Sequence, residues 1–387
     1  MAGRAYLAMT GDRFDIAVVG AGVLGLAHAY VAARRGQSVA VIDRDVRANG
    51  ASIRNFGFIT VTGQQRGETW RLARRTRDVW VEAAEAAGIA IEHRGLYLTL
   101  RSAEAVAVAE AFLATEMGEG CRLVAPDDFR AICHGLGGAQ LQAALHSPHE
   151  VRVESRTAIP GLARYLEEAL GVAFFRETAV RDVALPRIAT ARGEIRADAA
   201  IVCPGDDFSS LYPELIARHR LRRCRLSMLR LADPGFRLPG GLMSDLSLIR
   251  YAGYAALPEA AALKTRLLAE QPRHIDNGVH LIAVQSGDGS LVVGDSHHYD
   301  DLPGPFAPAS AEADILDEFS RAAGLPPPPV LERWTGTYTV ADDRTFVVET
   351  PEPGVRLVMV TTGAGASLSF GIAERTLDDL LGAKDAA

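Results

Sequence analysis

Residues 14–19 are apolar apart from Asp15, the pattern of a strand buried on both faces. Alanine-rich residues 27–35 follow and predict a helix that Gly36 closes. A second apolar run, 38–42, ends at Asp43, and the three segments together predict a βαβ unit. Periodicity predicts further helices over 68–87, 102–117, 158–170, 311–323 and 367–381. Strands are expected over 95–100, 172–175, 195–197, 199–203 and 356–360, and irregular backbone over the glycine-rich stretch 50–67. Between 221 and 293, four pieces look like strands: 225–231, 246–255, 280–285 and 290–293. Asp288-Gly289 between the last two is a hairpin signal, so antiparallel sheet is expected here. In a regular strand, Arg250 would share a face with Leu248 and Ala252, while Tyr251 would face the other way.

Composition narrows the classes. With 387 residues the chain suggests two domains, or one large fold with an insertion. A hydrophobic share of 48% and a charged share of 23% exclude a disordered chain. The formal charge of −7 excludes the basic surface that nucleic acid needs. Arg71, Arg74, Arg75 and Arg77 fit a solvated helix face. The 4 cysteines form no CxxC and no metal spacing with histidine, so no metal site and a reduced, cytoplasmic setting are expected. No apolar run approaches the roughly 18–20 residues of a membrane span. Residues 1–12 lack the apolar core of a signal peptide and are expected to be a short disordered lead.

Gly20-Ala-Gly22-Val-Leu-Gly25 joins the first strand to the first helix, and Asp43 ends the next strand about 20 residues on. Each part has a physical task. Gly20 permits the tight turn, Gly22 lets backbone approach a pyrophosphate, and Gly25 lets helix and strand pack closely. The helix start at Val23 and Leu24 offers free N–H groups and a positive dipole end. Asp43, next to Arg44, can accept hydrogen bonds from a ribose. Three features favour FAD over NAD. The segment 50–67 follows directly and carries Ser52, Arg54, Asn55, Phe56 and Gly57. Cys203-Pro204-Gly205 ends a later buried strand. Thr361-Thr-Gly363-Ala-Gly365 again joins a strand to a helix, with Ser367 and Leu368 in its first turn. A helix start there stabilises charge on a reduced flavin. Val180 completes the candidate cofactor set. His28, on the first helix, is read as structural.

These segments, in this order, resemble the FAD-dependent amine and amino-acid oxidases, the family of glycine oxidase, sarcosine oxidase and D-amino-acid dehydrogenases. The resemblance runs from Asp15 to about Leu381. Ala51-Ser-Ile-Arg54-Asn-Phe-Gly57, Gly294-Asp-Ser-His297 and Glu332-Arg-Trp-Thr-Gly336 resemble a narrower branch linked to phosphonate breakdown. The resemblance implies an α/β fold with a discontinuous Rossmann-like FAD domain, over 14–90, 145–220 and 335–387. It implies an α+β substrate domain over 91–144 and 221–334, whose large antiparallel sheet covers the flavin. It also implies hydride transfer from a carbon bearing nitrogen, then imine hydrolysis to an aldehyde; with no cysteine in the later half of the substrate sheet, the FAD is expected to be non-covalent. O2 or another acceptor reoxidises the flavin.

One departure stands out. In glycine-oxidase-like members, an arginine two positions after Trp-x-Gly holds the substrate carboxylate; here Tyr338 stands there. Tyrosine cannot form a bidentate ion pair. The expected substrate is therefore a small amine bearing another anionic group, 2-aminoethylphosphonate or an N-alkyl relative. The alternative is a D-amino-acid or glycine oxidase or dehydrogenase. Candidate substrate contacts are Arg54, Thr62, Gln64, Arg250, Tyr251, His297 and Tyr338, with His298 beside them. No proton-abstracting residue is assigned, because solvent can supply the neutral amine.

Overall fold

The computed structural model describes residues 13–382, so the expected lead over residues 1–12 lies outside them. β1 (Arg13–Val19), α1 (Val23–Arg34) and β2 (Val39–Ile42) form the expected unit. β1 lies between β2 and the strand Gly193–Val202, parallel to both. Ala173–Phe175 extends this sheet beyond β2, and Val355–Val360 extends it on the other side. Ile16, Ala17 and Val18 are fully buried, as an apolar run covered on both faces requires. The helix Gly365–Leu381 packs against both α1 and the helix Glu68–Ala87. There Trp80 meets Phe370 edge-on at 5.3 Å and its Nε1 donates to Ala366 O at 2.9 Å.

The second sheet has 10 strands, and its long members are Ile91–Leu100, Ala143–Val153, Arg222–Leu231 and Val330–Val340. Pairing is antiparallel except where Gly241–Ser244 runs parallel to Ile91–Leu100. The hairpin signal at Asp288-Gly289 sits between Ile282–Gln285 and Leu291–Gly294, with Gln285 opposite Leu291. Residues 143–153 and 335–340 pair within this sheet, across the expected domain limits at 145 and 335.

Three local expectations fail. The stretch 246–255 is not a strand: Asp245–Ile249 is a 3-10 helix and Ala252–Ala255 a short α-helix. Arg250 and Tyr251 both donate their backbone N–H to Ser247 O, which closes a helical turn. The side chain of Asp245, at the start of that turn, is held by Arg101. Arg250 and Tyr251 therefore do not take opposite faces. The expected strands 195–197 and 199–203 are one strand, because Asp198 points outward to Arg13 and does not interrupt it. The helix expected to reach Met117 ends at Leu113, where Thr115 starts a separate turn by accepting from the Met117 N–H.

Gly253 allows the short helix to press on the loop at Gly63: its N–H donates to Gly63 O at 2.9 Å, and a Cβ at 253 would lie 2.3 Å from Gln64 O. Gly253→Ala is expected to destabilise the fold by about 1–3 kcal/mol, read as a lower urea midpoint.

Candidate active site

A cavity of about 870 Å³ runs from the β1–α1 turn to the second sheet. At its first end the three glycines do different work. Gly20 has φ +104°, and a Cβ there would lie 2.5 Å from Cys203 O. A Cβ at Gly25 would lie 1.9 Å from Gly20 O, so helix and turn touch backbone to backbone. A Cβ at Gly22 would meet only Ser52 Oγ, at 3.0 Å, and otherwise open space. No side chain of its own caps α1; the Val23 N–H donates to Ser52 Oγ at 2.9 Å. Asp43 Oδ2 accepts from the Ala21 N–H at 2.5 Å and its Oδ1 from the Asp45 N–H at 2.8 Å, which ties the acidic strand end to the glycine turn. His28 donates Nδ1–H to Leu24 O within α1 and is fully buried, which pushes its pKa down to about 4; it is a structural group.

The cavity continues along Thr361–Ser367 to the start of Gly365–Leu381, a second long helix with no side-chain cap of its own. Ser367 Oγ accepts from the Thr60 N–H at 2.9 Å and fixes this helix start against the segment that follows the short strand Phe58–Ile59. Two helix starts without a side-chain cap of their own, a glycine turn open to backbone approach and an acidic strand end fit an extended, anionic dinucleotide. Bound there, FAD supplies the two-electron acceptor.

The expected cofactor residues Gly20, Gly22, Val23, Leu24, Gly25, Asp43, Arg44, Ser52, Arg54, Asn55, Phe56, Val180, Gly205, Gly363, Gly365 and Ser367 all line the cavity. Gly57 and Leu368 do not. A Cβ at Gly57 would strike Val153 O at 1.8 Å, and Leu368 is fully buried in the core.

At the second end, Gln64, Arg250, Tyr251, His297 and Tyr338 line the wall, whereas Thr62 and His298 do not. Thr62 turns away and donates to Ser147 Oγ at 2.6 Å. Arg250 donates to Tyr299 Oη at 2.8 Å, and no carboxylate of the described residues lies within ion-pair distance of it. Burial works against its charge, yet Tyr338, Tyr299 and Asp295 around it hold its pKa above the ordinary value. The Tyr338 ring lies over Gly363, where a Cβ would come within 2.9 Å of it. Trp334 Nε1 donates to Arg54 O at 3.1 Å and clamps the Arg54 loop to the second sheet.

Sequence reasoning missed His280, Asp295 and Tyr299, which share this wall. His280 and Asp295 are each 4% exposed, so their charge states depend on one another. His280 Nε2 lies 3.2 Å from Asp295 Oδ1 and His297 Nε2 3.5 Å from Oδ2, with the two rings stacked at 5.0 Å. Burial pushes Asp295 up to about 7 against the pull of Arg250, and pushes both histidines well below their ordinary value. Where no metal spacing was expected, ligand atoms of the three residues lie within 4.8 Å of one another. The guanidinium of Arg250 beside them opposes a divalent cation, and we assign none.

A site built this way defines a dinucleotide-dependent redox enzyme with a polar pocket beside its cofactor channel. The chain belongs to the FAD dependent oxidoreductase family, whose sequence profile matches residues 15–378. Its fold is similar to that of glycine oxidase from Bacillus cereus ATCC 14579, at 15% identity and TM-score 0.76 over 96% of both chains. L-proline dehydrogenase from P. horikoshii aligns at 15% identity and TM-score 0.77 over 97% of this chain and 95% of its own. Iminodiacetate oxidase from Chelativorans sp. BNC1 aligns at 16% identity and TM-score 0.68 over 96% of both. No curated protein sequence matches the chain. Among the described residues, no helix is long and apolar enough to cross a membrane.

Proposed function

We propose that this enzyme oxidises the C–N bond of a small amine bearing an anionic group, with 2-aminoethylphosphonate or an N-alkyl derivative as substrate. An aldehyde forms after hydrolysis of the imine. The observation that carries the reading is Arg250: a guanidinium in the cavity wall with no carboxylate of the described residues in ion-pair range. A cation held this way is stabilised by an anionic ligand. Tyr299 already meets the guanidinium, and Tyr338 lines the same cavity, so an anion bound there would find several donors. A phosphonate, with three acceptor oxygens, uses such a set more fully than a carboxylate does. The names of the similar structures, glycine oxidase and iminodiacetate oxidase among them, support an amine as the other half of the substrate.

Anaerobic mixing is expected to bleach the flavin with 2-aminoethylphosphonate or its N-methyl analogue. Bleaching by glycine or a D-amino acid but by neither phosphonate would move the assignment to an amino-acid oxidase or dehydrogenase.

A further inference from the structure

We infer that Asp295, together with His297, takes the proton that the substrate's ammonium loses before its carbon is oxidised. This rests on the amine reading above. An ammonium has no lone pair with which to form C=N, so one N–H bond must break first. Its electron pair stays on nitrogen, and the proton passes to Asp295 Oδ2 and is shared with His297 Nε2. No oxidant enters this step.

The proton inventory of the cluster carries the argument. His297 Nδ1 lies 2.8 Å from Gly278 O, and a carbonyl only accepts, so the ring proton sits on Nδ1. Neutral His297 then turns the lone pair of Nε2 toward Asp295 Oδ2, 3.5 Å away. Two acceptors face each other across a gap that one proton would fill. On the other side, His280 Nε2 is 3.2 Å from Oδ1 without being aligned to donate to it, so no described residue donates to Oδ1. Asp295 is thus a buried carboxylate with no arginine or lysine of the described residues in ion-pair range, and it lines the cavity. Oδ1 is occluded, and Oδ2 is the oxygen left to accept an N–H from an amine in that cavity.

The charged and titratable groups around Asp295 come from every neighbouring element. Arg250 and Tyr251 come from the turn before Ala252–Ala255, Cys224 from Arg222–Leu231, Tyr299 from His298–Asp300, and the two histidines flank it. Among them Arg250 is the cation that favours the ionised carboxyl. An anion bound to Arg250 offsets that effect and raises the proton affinity of Asp295. Binding of the substrate's anionic end therefore prepares the group that meets its amine end. Pushed up to about 7 by burial, Asp295 is an ionised acceptor just above neutrality.

The FAD-loaded protein tests this in two ways. Infrared difference spectra, without substrate, should show a protonated carboxyl lost with a midpoint near pH 7 and missing from Asp295→Asn. Ethylphosphonate, or acetate if amino acids prove to be the substrates, should raise that midpoint. In anaerobic stopped-flow, using whichever amine bleaches the flavin, Asp295→Asn should slow bleaching about 100-fold near neutrality. Its rate should recover at high pH, where solvent supplies the free amine. An unchanged pH profile in Asp295→Asn, or no carboxyl titrating near 7, overturns the inference. If the variant fails to fold, the wild-type infrared titration decides. Bleaching by glycine alone, with the same alkaline limb, would remove the phosphonate reading and leave the proton acceptor in place.

Discussion

Gly22→Val is expected to give a folded, colourless protein. At Gly22 the backbone is at φ −72°, which any L residue adopts, and an added Cβ meets only the Ser52 hydroxyl. The fold itself tolerates a side chain there. A pyrophosphate approaching the start of α1 does not, because the valine methyls stand between it and the N–H groups that would bind it. Losing that approach costs about 3 kcal/mol or more, at least ~100-fold in FAD affinity. Circular dichroism should match the wild type while flavin absorbance is absent after gel filtration. Gly25→Ala makes the contrast, since its Cβ would collide with Gly20 O and disturb the fold. Stoichiometric FAD in purified Gly22→Val would displace the pyrophosphate from this turn.

Arg250→Met has the second large effect. It keeps an unbranched side chain and removes the cation that has no carboxylate of the described residues in ion-pair range. Removing one side of a charge-assisted contact costs about 2–5 kcal/mol, so substrate affinity should fall between ~30-fold and several thousand-fold. The loss should appear in the concentration dependence of flavin bleaching more than in its limiting rate. Asp295 also loses the neighbour that favours its ionised form, so its midpoint should rise above 7 in the variant. The alkaline limb of the bleaching profile should move the same way. Unchanged substrate affinity would show that the anion binds elsewhere, with Arg54 the next candidate on the cavity wall.

The parts of the fold legible in the sequence are those written in local pattern. The β1–α1–β2 unit, the helix Glu68–Ala87 and the Asp288-Gly289 hairpin each combine periodicity with turn chemistry, and each forms as expected. The stretch 246–255 carried strand-like composition without a turn signal, and the hydrogen bonds to Ser247 O outweighed it. That miss also hid the fact that Arg250 and Tyr251 share one wall. Asp295 was overlooked for a different reason. Its partner His280 lies across a hairpin, and the register Ile282 opposite Gly294 is what brings them together. Carrying that register a little further places His280 beside Asp295, whose N–H donates to His280 O at 3.2 Å. The signal was present in the hairpin and was missed because the two residues were weighed one at a time.

Tyr338 belongs to the second sheet, yet its ring fills the space that a side chain at 363 would need. The residue expected to help select the substrate is therefore also a wall for the start of the C-terminal helix. Placing an arginine at 338, to restore a carboxylate clamp, would uncover Gly363 and leave a gap beside that helix start. Gly363 itself has φ +73°, so it must stay glycine whatever stands at 338. Redesign of specificity by a single exchange at 338 therefore also changes the packing on that turn.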